Sequence, residues 1–395
     1  MLTSQRRQDK LRVLHVLGGL NPGGCENWLK HLIVSGALTG VQCDFLVHTN
    51  ETGAYETALR QHGCRILKCP RGRNPPQFVA SFVRLVSEFG PYDIIHCHYH
   101  YRAWIALIAA KLSRVPIRVA HAHNDTSFED RIWPKRLYAR LNQYLVSKFC
   151  THGLATSDAA GKGFFGREWG RNSRLLLHLS TVDLTPFGQP ANRSFVRSKW
   201  EVDPDTLAIG HVGRFTRQKN HQLLVEIAVE LRKRKIPFCM LLVGDGPLRA
   251  SVLQTIRQLG LTQQIRLLPP DSNVVELMTG VFDCFLFPSL FEGLGLSVLE
   301  AQAAGLPCII SDRIPKEAIV DATLIEVVSL TSPCDQWVDQ LVNVSTRDQR
   351  ILGSSAREEA MERFGIQQNG IRLVSFYYDS FLSHDNRAHS VASTP

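Results

Sequence analysis

Long apolar runs are missing from this sequence. None approaches the ~20 residues that a membrane-spanning helix needs, so no transmembrane helix is expected. The opening segment, Met1 to Lys10, is polar and charged and has no apolar centre, so no secretory signal is expected either. Paired cysteine motifs are also missing. The ten cysteines are scattered, many within apolar runs such as Phe149-Cys150 and Asp283-Cys284-Phe285, and none forms C-x-x-C. That pattern fits buried reduced thiols in a cytoplasmic protein and excludes a disulfide scaffold. There is no repeat of 20–50 residues and no low-complexity tract.

The 395 residues are 44 % hydrophobic and 21 % charged, enough for two ordinary α/β domains with real cores. The net charge of +9 is uneven: residues 1–186 hold 24 Lys/Arg against 13 Asp/Glu, and the remainder 21 against 23. A basic half fits an anionic partner, whether nucleic acid, a membrane surface or a phosphorylated acceptor, although scattered surface cations give the same count.

Short apolar runs alternate with helical patterns, which predicts parallel sheets covered on both faces. In the first half, strands are expected at Leu11–Leu17, Gln42–His48, Arg65–Cys69, Tyr92–Cys97, Arg118–His123 and Gly153–Thr156. The pattern restarts after Pro186, with strands at Leu207–Val212, Phe238–Val243, Ile265–Leu268, Cys284–Pro288 and Pro307–Ser311. Residues 1–186 and 187–365 are therefore read as two doubly wound domains facing across a cleft. A helix at about 366–383 would pack back on the first domain, and 384–395 would form a disordered polar tail. Ligands in such sheets sit beyond the carboxyl ends of the strands, so the residues just after each strand are the informative ones.

After the first strand comes Gly18-Gly19-Leu20-Asn21-Pro22-Gly23-Gly24, which opens a helix. It is not G-x-G-x-x-G, but four glycines let backbone N–H groups approach an anion; a tight turn explains only one or two of them. The stretch His96-Cys97-His98-Tyr99-His100, with His121 and His123, fits either a zinc site of H-x-H spacing or polar residues at strand ends. No carboxylates stand ready to back metal ligands, and His123 ends its strand, where it suits sugar contact. Gly213-Arg214-Phe215-Thr216-Arg217-Gln218-Lys219-Asn220 places Arg214 and Lys219 where two cations can stabilise a departing diphosphate. Gly244-Asp245-Gly246-Pro247 is a strand–turn–helix junction that also admits a nucleotide near the backbone of Gly244; without G-K-[ST] it is no P-loop. The most specific stretch runs from Pro288 to Pro307. Glu292 lies on a loop with Gly293, Leu294 and Gly295, and Glu300 lies in the helix after it. A carboxylate accepts two hydrogen bonds from vicinal hydroxyls, so each glutamate can grip a diol.

Taken in order, these motifs resemble the retaining glycosyltransferases of family four, of GT-B fold, in the exopolysaccharide or capsule branch, over roughly residues 11–375. The resemblance implies that Gly23 and Gly24 approach the donor phosphates or the acceptor, and that His123 contacts the transferred sugar. It further implies that Arg214 and Lys219, beside Gly213, bind the diphosphate. Glu292 would then hold sugar hydroxyls, Glu300 the ribose, and the backbone at Leu268–Pro270 the base. It implies a nucleotide-sugar donor, UDP-sugar before GDP- or ADP-sugar, and a glycan or lipid-linked acceptor, with no cofactor. Metal independence agrees with the lack of D-x-D at a strand end. The linker departs from the family's N-G-[VI]-D and reads Ser180-Thr181-Val182-Asp183, which puts any donor contact from that loop in doubt. The basic helix Arg131–Lys148 fits a peripheral contact at the inner face of a membrane, or simply a cover for the sheet. A nucleotide-sugar epimerase of the same fold and a His-cluster metal hydrolase are the competing enzyme readings. A nucleic-acid binder leaves Glu292 and Glu300 without a role.

Overall fold

A computed structural model describes residues 10–69, 74–99, 103–125, 133–189, 191–345 and 354–392. The chain divides into two compact units, one running to Thr181 and resuming at Phe364, the other Val182–Arg363. The sequence reading had placed the division near 187.

In the first unit, β1 (Leu11–Leu17), β2 (Val41–Val47), β3 (Ile66–Lys68), β4 (Ile94–Cys97), β5 (Ile117–Ala122), β6 (His152–Ala155) and β7 (Leu175–Leu177) form one parallel sheet ordered β3-β2-β1-β4-β5-β6-β7. Its helices are α1 (Gly24–Val34), α2 (Glu56–Gln61), α3 (Pro75–Phe89), α4 (Ala103–Leu112), α5 (Trp133–Phe149) and α6 (Asp158–Phe165). Because side chains alternate across a strand, β1 sends Leu14 and Val16 into a core with Phe82, Ala106 and Phe164. It sends Val13 and Leu17 into a second core with Trp28, Phe45 and Tyr377.

The second unit repeats the scheme. Helix α7 (Arg193–Lys199) precedes β8 (Leu207–Val212), α8 (His221–Lys233), β9 (Phe238–Val243), α9 (Arg249–Gln258), β10 (Ile265–Leu268) and the short α10 (Val274–Glu276). Then follow β11 (Cys284–Phe287), α11 (Leu296–Ala303), β12 (Cys308–Ser311), β13 (Ile325–Val328), α12 (Cys334–Ser345) and α13 (Ser354–Phe364). The parallel sheet is ordered β10-β9-β8-β11-β12-β13. Ile209, Leu224, Ile227, Leu242 and Trp337 fill one of its faces.

The last helix, α14 (Ile366–Ala392), belongs to the first unit. Leu373 and Tyr377 are buried in the core beside α1, and the Trp28 indole N–H donates to Asn369 Oδ1 at 2.9 Å. The helix continues past His384, so most of the stretch read as a disordered tail is helical. Its polar composition suits an exposed helix end as well as a coil. Both sheets reverse strand order once, between β1 and β4 and between β8 and β11. The loops after those strands lie at the switch-point crevice, where open parallel sheets are expected to take a ligand.

Candidate functional site

In the second unit, the loops after β8 and β11 are laced together. The Leu290 N–H donates to the Gln218 carbonyl at 2.8 Å, and the Asn220 side-chain amide donates to the Pro288 carbonyl at 3.2 Å. Gln218 Nε2 lies 3.0 Å from the Phe291 carbonyl and 3.1 Å from Glu292 Oε2. Lys219 Nζ reaches Glu292 Oε1 at 2.7 Å and stands 4.3 Å from the centre of the Phe287 ring. Both side chains of that ion pair are largely buried. A buried charge pair demands this many partners, because desolvation otherwise exceeds the attraction.

Two glycines make the approach possible. Gly244 has φ +144°, and a Cβ there would run into the Gly213 carbonyl. Gly295, at φ +90°, turns the chain into α11. Gly293 and Leu294 are buried beside Glu292. Gly213 is hemmed in by Lys219, whose Cδ and Cε would lie 3.0 Å from an added Cβ. Arg214 is exposed and, among the described residues, has no ion-pair partner. Leu268 is half-buried, and its carbonyl accepts the Gly244 N–H at 3.1 Å. Burial pushes the Glu300 carboxyl up to about 7, against the opposing pull of the Lys219 charge. The loops thus combine one exposed cation, one buried cation–carboxylate pair and one carboxyl poised near neutrality. That is a set able to bind a diphosphate together with hydroxyls.

In the first unit, α1 begins at Gly24 after an extended Gly23, with no side chain capping it. Gly24 is exposed with open space around it, so the first-turn N–H groups are accessible, with Glu26 among them. The histidines converge as strand periodicity requires. His15 pairs in register with His96 across β1 and β4, and His121 and His123 share the parity of Val119 on β5. His15, His96 and His121 therefore fall on the face covered by Trp28 and Tyr377. His15 Nδ1 lies 2.9 Å from His98 Nε2, and His98 Nδ1 lies 2.9 Å from His123 Nε2. Cys25 Sγ approaches the same His123 Nε2 at 3.4 Å. A second chain links His121 Nδ1 to His96 Nε2 at 3.1 Å and His96 Nδ1 to the Tyr377 hydroxyl at 2.6 Å.

Burial holds His15 down to about 3 and His178 to about 4, and, with mutual repulsion, His96, His98 and His121 well below the usual imidazole range. These rings are neutral at pH 7. Ligating atoms of Cys25, His98 and His123 lie within 4.8 Å of one another, as do those of His15, His96 and His98. The grouping suggested by the sequence is therefore real: His15, His98 and His123 contact one another ring to ring, and His96 contacts His121 and the Tyr377 hydroxyl. His100 lies outside the described residues.

Sequence reasoning missed His15, Gln218, Phe287 and Trp28. His15 left a signal as the lone polar residue inside the apolar part of LRVLHVL. Gln218 and Phe287 left none, since Gln218 acts through a loop-to-loop contact and Phe287 through the Lys219 ammonium beside its ring.

The group 1 glycosyltransferase family model matches residues 192–325, and the glycosyltransferase 4-like domain model matches 23–173. A protein of Bacillus subtilis (strain 168) bearing the name glycosyltransferase EpsF is 34 % identical over 386 residues, covering 95 % of this chain and 98 % of that protein. The Escherichia coli UDP-Gal:alpha-D-GlcNAc-diphosphoundecaprenol alpha-1,3-galactosyltransferase is 27 % identical over 305 residues, covering 74 % of this chain and 76 % of its own. Among solved structures, Anabaena Alr3699/HepE in complex with UDP and glucose superposes with TM-score 0.72 at 18 % identity, over 97 % of this chain and all of that one.

Proposed function

From the premise that this chain belongs to the glycosyltransferases, with the GT-B fold, we propose that it moves a sugar from a UDP-sugar to a glycan or lipid-linked acceptor in polysaccharide biosynthesis. The observation that carries this reading is the Lys219–Glu292 pair, held on glycine-rich loops at the β8/β11 crevice with Glu300 in the helix that follows. Arg214 and Lys219 take the diphosphate, Glu292 the sugar hydroxyls, Glu300 the ribose, and the backbone near Leu268 the base. Gly23 and Gly24 approach an anionic group of donor or acceptor, and His123 contacts the transferred sugar.

The acceptor hydroxyl oxygen attacks C1 on the face from which the diphosphate departs, the C1–O bond to phosphate breaks, and the hydroxyl proton passes to the leaving phosphate oxygen. The anomeric configuration is thereby retained. The two cations offset the charge that builds on the leaving group, so the step needs no metal. UDP in the name of the E. coli relative and in the Anabaena complex supports the choice of donor. The family match favours transfer over the epimerase and the metal-hydrolase readings.

No helix among the described residues is long and apolar enough to cross a membrane. Peripheral contact with an anionic inner membrane face is part of the proposal. Leu137, Leu141 and Tyr144 form an exposed stripe on α5, with Arg140 and Lys148 beside them.

The test is thermal stabilisation of the full chain by UDP-, GDP- and ADP-sugars in EDTA. A ligand that binds only the native state raises the melting temperature according to its affinity. The reading expects a rise with a UDP-sugar, undiminished by EDTA. A rise with another base alone would correct the donor, and silence from the whole panel would overturn the site.

A further inference from the structure

Gln218 joins the loops after β8 and β11 and, unlike Arg214 and Lys219 on the same loop, carries no charge. We propose that Gln218 is a positioning residue for the donor sugar: its side-chain amide holds the Glu292 carboxylate in place when Lys219 turns to the diphosphate. This inference rests on the proposed contacts of Glu292 with the sugar hydroxyls and of Lys219 with the diphosphate.

The backbone sets the placement. Residues Arg217–Lys219 form a single tight turn, and Asn220 closes it in the left-handed region at φ +54°, which asparagine tolerates better than most residues. The turn is fastened to the loop after β11 at two points. The Gln218 carbonyl accepts the Leu290 N–H at 2.8 Å, and the Asn220 amide donates to the Pro288 carbonyl at 3.2 Å. Gln218 and Lys219 therefore reach one carboxylate from consecutive positions.

Chemistry allows the Gln218 amide one orientation. Its Nε2 lies 3.0 Å from the Phe291 carbonyl oxygen and 3.1 Å from Glu292 Oε2. A carbonyl only accepts, and so does a carboxylate paired with an ammonium, so both N–H groups of the amide are committed. Turned over, the amide would set its own oxygen against two acceptors. An ionised carboxylate offers about four lone-pair positions. Gln218 takes one on Oε2, and Lys219 Nζ, at 2.7 Å, takes one on Oε1. Among the described residues, that leaves one position on each oxygen, which matches a pair of vicinal hydroxyls.

A diphosphate acts differently on the two partners. The ammonium is drawn to the phosphate charge, and its hold on Glu292 loosens as it goes. The amide has no net charge and no N–H to spare, so it keeps Glu292 Oε2 in the empty and in the loaded site alike. A cation at position 218 would compete for the phosphate, and an apolar side chain would let the carboxylate swing.

The readout is binding of UDP against UDP-sugars, because UDP has the diphosphate but no sugar for Glu292 to hold. The full chain is titrated calorimetrically with UDP, UDP-glucose, UDP-galactose and UDP-N-acetylglucosamine, and the UDP-sugar bound most tightly is carried to the variants. Gln218→Met keeps the length of the side chain and removes its N–H groups. Its Kd for the UDP-sugar should rise about 10- to 100-fold, the worth of a hydrogen bond to a charged group, while its Kd for UDP stays within about 3-fold. Gln218→Asn keeps the N–H groups one methylene short; it should show the same selective loss in smaller measure, and it carries the test if Gln218→Met does not fold. Glu292→Gln should also lose the UDP-sugar selectively, and adding Gln218→Met to it should change little, since residues that act through one contact are not additive. Equal weakening of UDP and UDP-sugar would mean that Gln218 only stiffens its loop, and would overturn the proposal. So would an unchanged UDP-sugar Kd, or a full further loss in the double variant. Silence of the unaltered chain toward every ligand would instead refute the UDP-sugar reading itself, and this proposal with it.

Discussion

On the proposed reading, Lys219 and Glu292 serve stability and chemistry at once. Removing Lys219 strands a buried carboxylate, which costs roughly 3 kcal/mol or more, and Glu292→Gln strands the Lys219 ammonium while keeping one acceptor oxygen and a similar shape. Both variants are therefore expected to lower the urea midpoint and kcat, with Glu292→Gln lowering the midpoint less because it keeps an acceptor oxygen for the ammonium. A loss of about 10²-fold in kcat matches the removal of one charge-stabilising group. Full turnover in both variants would remove them from the site.

Glu300 makes a pH prediction whose sign is set by burial. In the proposed ribose contact only the ionised carboxylate can accept from both hydroxyls, and burial pushes this group up to about 7. The donor KM should rise as pH falls through 7, with kcat changing less, and Glu300→Gln should show a weak but pH-independent KM. The folded value lies above the ordinary 4.5. Its contribution to stability is therefore fully present below pH 4.5 and lost as pH rises toward 7. Glu300→Gln should flatten the melting temperature across that window. An unchanged pH slope of KM in the variant would refute the ribose assignment.

Among the helices, α14 has the clearest structural task. Asn369 accepts the Trp28 indole N–H and donates to the Leu179 carbonyl, joining the end of the chain to α1 and to the strand edge. Asn369→Leu leaves a buried N–H and a buried carbonyl short of partners and should cost about 1–3 kcal/mol in urea unfolding. A loss below 0.5 kcal/mol, the scale of surface substitutions, would show that packing of Leu373 and Tyr377 alone secures the helix.

The parallel strands were legible in the sequence because burial on both faces writes them as apolar runs. Most expected strands lie within a residue or two of those found. The three-residue β7 went unread, since an edge strand with exposed Leu176 and Leu177 carries little of that signal. So did α6, where Gly161 and Gly163 dilute the helical pattern and Gly161 leaves room for the Trp169 ring. The glutamates and loop cations were legible for the opposite reason. The glycines around them break the apolar pattern where the loops after β8 and β11 meet, whereas His15, buried in β1, looks like one more strand residue until register sets it beside His96.

Part of the cation excess in residues 1–186 lies beside exposed apolar side chains. Leu112 on α4, with Leu137, Leu141 and Tyr144 on α5, gives four large apolar side chains at least half exposed, with Lys111, Arg140 and Lys148 among them. The α5 residues follow helical spacing, so they lie along one side. Scattered solubilising charge does not explain a side that is apolar as well as basic. Each leucine driven into an interface contributes up to about 2 kcal/mol, and each nearby cation about 1 kcal/mol against anionic lipid. We propose that together these supply reversible adsorption. The full chain should sediment with phosphatidylglycerol-containing vesicles, weakly with purely zwitterionic ones, and less as salt is raised. Leu137→Ser with Leu141→Ser and Tyr144→Ser should weaken sedimentation while leaving stabilisation by the nucleotide sugar intact. Binding that survives these substitutions but falls with salt would assign the charge asymmetry to electrostatics alone. Binding indifferent to lipid charge would deny it any part.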